Sequence, residues 1–318
     1  MKILWKWLPT EVDRRVRIAA WASLVSQILI IGTGGAVRLT GSGLGCPTWP
    51  RCTEDSFVTT PEMGFHGIIE FGNRLLTFVL IIIALVMFLF ILRMRRERPE
   101  FFSLSLVLGL GIPGQAVIGG ITVLTDLNPY VVGLHYLLSA ILVGLAAILL
   151  YRVRVGPKTP GWGVPGSVRA LSASLLVVLG VSIIMGILTT GSGPHAGDGG
   201  AARNGLDSWL LQHFHAWPSY VVAGLAATLF ALAWFARVGS TRFKRAATGM
   251  VLATVAQVAI GLYQARNGLP ELFVGIHMVL AAVLVALAVT LVLSQRELSL
   301  TRAAEDQSLP RQRAASST

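Results

Sequence analysis

The 318-residue chain is 54% hydrophobic and only 13% charged, with a mean hydropathy of +0.69. A soluble enzyme would carry about twice that charged fraction, so the composition excludes an ordinary water-soluble domain. The net charge of +11 would suit a nucleic-acid binder, but the basic residues are placed between apolar runs, which argues against one.

Runs of about 20 apolar residues read as membrane-spanning helices. Eight occur, at about 16–39, 66–92, 102–124, 130–151, 169–190, 209–236, 246–265 and 272–294. The expected fold is an all-α integral membrane protein with eight transmembrane helices. Of the 26 basic residues, 21 fall at the N-terminus, in every second interval between runs, or in the C-terminal tail. Arg38, Arg51, Arg203 and Arg266 fall on the other side, and Arg74 lies inside a helix. The positive-inside rule predicts a multi-pass protein of the cell membrane with both termini cytoplasmic. The basic surplus then meets anionic membrane lipid, and no nucleic acid is expected as a partner. Lys6, Trp7, Leu8 and Pro9 interrupt the N-terminus ahead of the first apolar run, so no cleavable leader is expected.

In chain order, the first helix ends in the glycine-dense stretch Gly32 to Cys52, which allows a compact loop but lacks the Lys-Ser/Thr of a phosphate loop. Cys46 and Cys52 both lie there, on the oxidising side, where a disulfide is favoured over two thiols. Whether it staples the loop or does redox work is left open by the sequence. The second helix opens His66-Gly-Ile-Ile-Glu70-Phe-Gly-Asn73-Arg74. Residues 66, 70 and 73 share one helix face, and Glu70 can pair with Arg74 four residues on. The third helix holds Gln115 and Gly119-Gly120, and the fourth opens Gly133-Leu-His135-Tyr136. After a Pro/Gly-rich linker, the fifth ends Thr190-Gly-Ser-Gly193-Pro-His195-Ala-Gly-Asp198. The sixth opens Trp209-Leu-Leu-Gln-His213-Phe-His215-Ala-Trp217, and the eighth carries Gly275-Ile-His277. Ionisable groups in an apolar span are costly and usually functional.

An internal repeat organises these residues. At an offset of 142, Asn73 matches His215, His135 matches His277, Gln115 matches Gln257, Gly119 matches Gly261, and Glu70 matches Gln212. Thr40-Gly-Ser-Gly43 matches Thr190-Gly-Ser-Gly193 at an offset of 150, so the first outer loop is longer by eight residues. The eight helices therefore divide into two pseudo-repeated four-helix bundles of like orientation. The expected boundaries are 1–155 for the first, a cytoplasmic linker at 156–168, 169–294 for the second, and a disordered tail at 295–318.

Inward histidines on facing helices of a bundle are natural haem sites. His215 and His277, at similar depth, could hold a haem iron from both sides, or form a hydrogen-bonded core pair. Zinc would call for more ligands than converge there. His213 points away from His215 and reads as interfacial. In the first half Asn73 replaces one ligand, leaving His135 with Glu70 beside it as an acid/base group. The second half thus reads as an electron-transfer site and the first as a reaction chamber.

Val37-Arg38-Leu-Thr40-Gly-Ser-Gly43-Leu-Gly-Cys46-Pro-Thr-Trp-Pro, Ile69-Glu70-Phe-Gly-Asn73-Arg74 and Thr190-Gly-Ser-Gly-Pro-His195-Ala-Gly-Asp198 together resemble the haem A synthase family over about 16–294. The resemblance implies a membrane oxidoreductase that converts the C8 methyl of haem O to the formyl group of haem A by successive hydroxylations. It implies a haem b cofactor on His215 and His277, substrate-haem ligation by His135, and an essential carboxylate at Glu70. It also implies a Cys46–Cys52 disulfide, with haem O synthase and terminal oxidase assembly as functional partners. A homo-oligomer is compatible with it. The family's commonest pattern has His where Asn73 stands, so either one axial ligand is missing or His66 substitutes; His66, about 10 Å further out, is the weaker choice. Arg38 and Arg74 could meet haem propionates, or Arg74 could pair with Glu70. His195 reads as a lid contact. A dihaem b-type, quinol-oxidising cytochrome and a haem carrier are the rival readings; the first expects four axial histidines.

Overall fold

The computed structural model describes residues 7–156 and 161–296. Eight long helices account for most of them: α1 (Arg14–Leu39), α2 (Gly64–Ile91), α3 (Pro99–Leu124), α4 (Pro129–Val155), α5 (Gly166–Ser192), α6 (Ser208–Trp234), α7 (Thr241–Arg266) and α8 (Glu271–Leu293). No strand occurs among the described residues. Each is long and apolar enough to cross a membrane. At 1.5 Å per residue even the shortest, with 23 residues, covers a hydrocarbon core of about 30 Å. The chain is an all-α, eight-span membrane protein.

Local chemistry sets where the helices start. Asp13 accepts from the Val16 amide ahead of α1, and Asn128 accepts from Tyr130 ahead of α4, which has Pro129 in its first turn. Asp207 takes the Trp209 and Leu210 amides at α6, and Ser240 takes Phe243 at α7. These side chains satisfy amides that have no intrahelical acceptor. Helix α6 continues through Pro218.

Helices α1 to α4 pack in a ring, each against the next and α1 against α4; α5 to α8 do the same. The two rings meet through α4 on α8, flanked by α1 on α8 and α4 on α5. At this seam the Tyr136 hydroxyl donates to the Met278 carbonyl at 3.3 Å. Met278 is the counterpart of Tyr136 at the offset of 142, so α4 and α8 touch at equivalent positions. The fully buried apolar side chains gather toward the end flanked by basic residues. They include Met87, Ile91, Phe101 and Leu149 in one ring, and Leu229, Phe243, Met250 and Leu291 in the other. At the opposite end, where the histidines lie, a smaller cluster forms around Leu127, Ala196 and Ala201.

Ser294–Arg296 form a 3-10 turn, and Ser294 and Gln295 are buried. The Gln295 carbonyl accepts from the Gly163 amide at 2.7 Å, and the Arg296 guanidinium lies 4.0 Å from the Trp162 ring centre. These contacts fix the turn against the segment before α5. That segment is itself shortened, since α5 starts at Gly166 rather than 169. The rest of the tail, 297–318, and residues 157–160 of the linker lie outside the described residues.

Candidate functional site

On α6 and α8, the rings of His215 and His277 face each other edge to face, with centres 6.1 Å apart. His215 lies seven residues into α6 and His277 six into α8, so both are roughly 10 Å below the helix ends. His215 Nδ1 is 2.8 Å from the Ser182 carbonyl of α5. Donation there leaves Nε2 with its lone pair outward, the tautomer a metal-binding imidazole needs. Ser219 Oγ donates to the His215 carbonyl at 2.8 Å and lies 2.7 Å from Ser182 Oγ. The His277 carbonyl accepts from Gln257 Nε2 at 3.1 Å, and its Nδ1 is buried without a partner.

Both rings rest on glycines. A β-carbon at Gly186 would lie 2.9 Å from His215 Cε1, and one at Gly261 would lie 3.1 Å from His277 Cε1. Two metal–imidazole bonds of about 2 Å each, plus the ring radii, span about 6 Å. The separation, the two nitrogen donors and the orphaned Nδ1 therefore fit a haem iron held from both sides. His213 stands apart: its Nδ1 is 2.8 Å from the Trp209 carbonyl and its ring packs on Trp209.

The first half repeats this seat with one substitution. His135 rests on Gly119, 3.4 Å from its would-be β-carbon, and Gln115 Nε2 donates to the His135 carbonyl at 3.0 Å. Gln115 Nε2 also reaches Ser139 Oγ at 2.6 Å, and His135 Nδ1 is buried without a partner. At the position matching His215 stands Asn73, whose Oδ1 is buried and unpartnered.

Glu70, 5% exposed, accepts on Oε2 from the Cys46 amide at 2.6 Å. Its Oε1 takes Arg74 Nε at 3.1 Å and Nη2 at 2.5 Å. Arg74 further donates to the carbonyls of Cys46 (2.9 Å), Thr48 and Arg51 (both 3.1 Å). Arg74 therefore binds Glu70 and the first outer loop. Arg38 donates to the His195 carbonyl at 2.6 Å and to the Thr190 carbonyl at 3.0 Å, so it ties the first half to the second. His66 is exposed; its Nδ1 is 2.9 Å from Ser42 Oγ, and it lines an outer cavity of about 560 Å³ with Met63 and Asp198. Cys46 and Cys52 form a buried disulfide with a Cα–Cα distance of 4.4 Å.

His195, which the sequence singles out, and Trp49, which it does not, both take part in contacts between outer loop and helix. His195 places Nε2 2.9 Å from the Leu269 carbonyl while its own carbonyl takes Arg38, and Gly43 donates to the Gly197 carbonyl at 2.8 Å. These bonds clasp the outer loops of both halves over the site. Trp49, between the bridged cysteines, lays its indole on Gly120 of α3, beside the glycine under His135. The doubled glycine at 119–120 is the sequence signal for both seats.

A family model described as "Cytochrome oxidase assembly protein" (COX15-CtaA) matches residues 17–289. The chain belongs to this family. The chain is also similar to proteins named haem A synthase: one from Geobacillus thermodenitrificans is 30% identical over 159 residues, covering 48% of this chain and 49% of the relative. One from Bacillus pumilus is 35% identical over 141 residues, 43% of each chain. One from Sphingopyxis alaskensis is 26% identical over 320 residues, covering 84% of this chain and 88% of the relative. The chain thus spans about half the length of the first two, and most of the third. As a COX15-CtaA protein it carries Glu70, His135, His215 and His277 within the matched region.

Proposed function

We propose that this protein is a haem A synthase, oxidising the C8 methyl of haem O to the formyl group of haem A. The observation that carries the reading is the asymmetry of the halves. One holds two imidazoles 6.1 Å apart; the other has one imidazole, Asn73 at the second ligand position, and a buried carboxylate engaged by an arginine and a backbone amide. The names of the relatives support the same reaction.

In this reading His215 and His277 hold haem b, which when bound supplies one-electron transfer. The Ser182 carbonyl fixes the His215 tautomer, and Gln257 steadies the backbone of His277. His135 ligates the iron of the substrate haem. Asn73, whose Oδ1 is buried without a partner, offers no second imidazole, so His135 would be the one histidine to hold the substrate haem there. Glu70 moves protons, or stabilises positive charge developing at the methyl carbon, with Arg74 and the Cys46 amide holding its orientation. Arg38 acts through the clasp with His195, and His66 serves the outer cavity, not the iron.

The basic flanks of the helices support a reading with both termini in the cytoplasm and the site at the outer face of the cell membrane. A haem O synthase upstream and a terminal oxidase downstream are the implied partners. The test is expression with haem O followed by mass spectrometry of extracted haems. Haem A is expected; unchanged haem O in a haem-loaded, folded preparation would sink the reading.

A further inference from the structure

The eight residues by which the first outer loop exceeds its counterpart belong to the half that carries Glu70. Within that loop Trp49 is held from both sides. The Cys46–Cys52 bridge closes the segment around it, and Arg74 grips the carbonyls of Cys46, Thr48 and Arg51. The indole sits on Gly120, where a β-carbon would overlap Cγ, Cδ2 and Cε2 of the ring. No larger residue at 120 leaves room for it. Gly119, next in the helix, faces the His135 ring, so one glycine pair seats both side chains. In the second half the counterpart of Gly120 is Leu262, which is exposed. Trp49 is itself only partly buried, so its ring has surface to offer beyond Gly120.

We infer that Trp49 is a substrate-contacting residue: its indole forms a wall of the first-half chamber, against which the flat macrocycle ligated by His135 packs. This deepens the haem A synthase reading and rests on it. A large aromatic surface fixed beside a single ligand discriminates a planar macrocycle by packing. Aromatic packing of this kind shifts affinity by about tenfold.

The test uses the full-length protein, titrated with iron protoporphyrin IX. The first equivalent gives the low-spin signal of the His215–His277 site and reports the fold; the second reports the first-half chamber. Trp49→Ala is expected to weaken the second equivalent about tenfold and to raise KM for haem O more than it lowers kcat. Trp49→Phe keeps a ring and should stay within about threefold of the parent. Gly120→Ala, by occupying the indole's seat, should reproduce Trp49→Ala, and the double variant should be no worse than either single one. Unchanged affinity in Trp49→Ala would overturn the inference, as would full additivity in the double variant. If the parent binds the second equivalent but makes no haem A, the reaction assignment fails while the titration still decides the role of Trp49.

Discussion

Placing a methyl group under each ligand histidine gives a graded test of the seats. In Gly186→Ala the new β-carbon would stand 2.9 Å from His215 Cε1 and 3.2 Å from Nδ1, against 3.1 Å to His277 Cε1 in Gly261→Ala and 3.4 Å to His135 Cε1 in Gly119→Ala. Comfortable carbon contacts begin at about 3.5 Å, so the overlap at 186 is roughly half an ångström and at 119 close to nothing. The His215 ring cannot slide away freely, because its Nδ1 is bonded to the Ser182 carbonyl at 2.8 Å. Overpacking of this kind costs about 1–3 kcal/mol, which corresponds to a fall of roughly 5- to 150-fold in affinity for a haem held by that ring. Gly261→Ala should show a smaller loss, and Gly119→Ala should leave second-equivalent binding nearly intact, since Ala also favours the helix by about 1 kcal/mol. The assay is the low-spin haem signal per protein during titration, read beside a thermal melt that separates lost haem from lost fold. Equal effects at the three positions, or retention of full low-spin signal in Gly186→Ala, would refute the argument that the glycines are there to seat the rings.

Three further outcomes are expected. His277→Ala should abolish the low-spin b-type signal while leaving the helices folded; a full signal would remove His277 from the ligand set. Glu70→Gln keeps the shape of the side chain but not its charge, and should cut haem A formation about a hundredfold or more with little change in bound haem b; a normal rate would end the proposed role of Glu70. Arg74→Ala leaves the buried Glu70 carboxylate and three loop carbonyls without their donor, a cost of about 3–5 kcal/mol, and should lower the thermal midpoint by roughly 5–15 °C and speed proteolysis across 46–56. An unchanged melt would show that the loop does not depend on this guanidinium.

The spans were legible because apolar runs and caps are local signals. The helix starts at Asp13, Asn128, Asp207 and Ser240 follow from side chains adjacent in sequence. The pairing of residues across helices was legible only through the repeat. The offset of 142 ties His135 to His277 and Gln115 to Gln257, and the structure gives both glutamines the same bond to the histidine carbonyl, at 3.0 and 3.1 Å. The loops resisted such reading. Arg38 reaches carbonyls more than 150 residues away, and no local pattern encodes which ones. Backbone carbonyls are present at every residue, so a sequence cannot say which of them an arginine will meet. Likewise the ordered turn at 294–296 rests on Gly163 and Trp162, partners that the polarity of the tail gives no hint of.

The repeat also bears on how two unlike sites share one scaffold. The seats are common to both halves: a histidine six residues into the last helix, a glycine under it, and a glutamine on its carbonyl. The differences that bear on charge lie on the side of α2 and α6. In the second half, α6 offers His215 and Gln212 with a short outer loop; in the first, α2 offers Asn73, Glu70 and Arg74 with a loop eight residues longer. Those changes depend on one another physically. A carboxylate buried at Glu70 needs donors, Arg74 supplies them, and the guanidinium's remaining hydrogen bonds need the carbonyls of the extra loop. In the second half the position of Glu70 is taken by Gln212, which is uncharged and exposed, and that of Arg74 by Ala216. The loop is thus part of the chemistry of Glu70, because without its carbonyls and the Cys46 amide the same carboxylate would be too costly to keep inside the membrane.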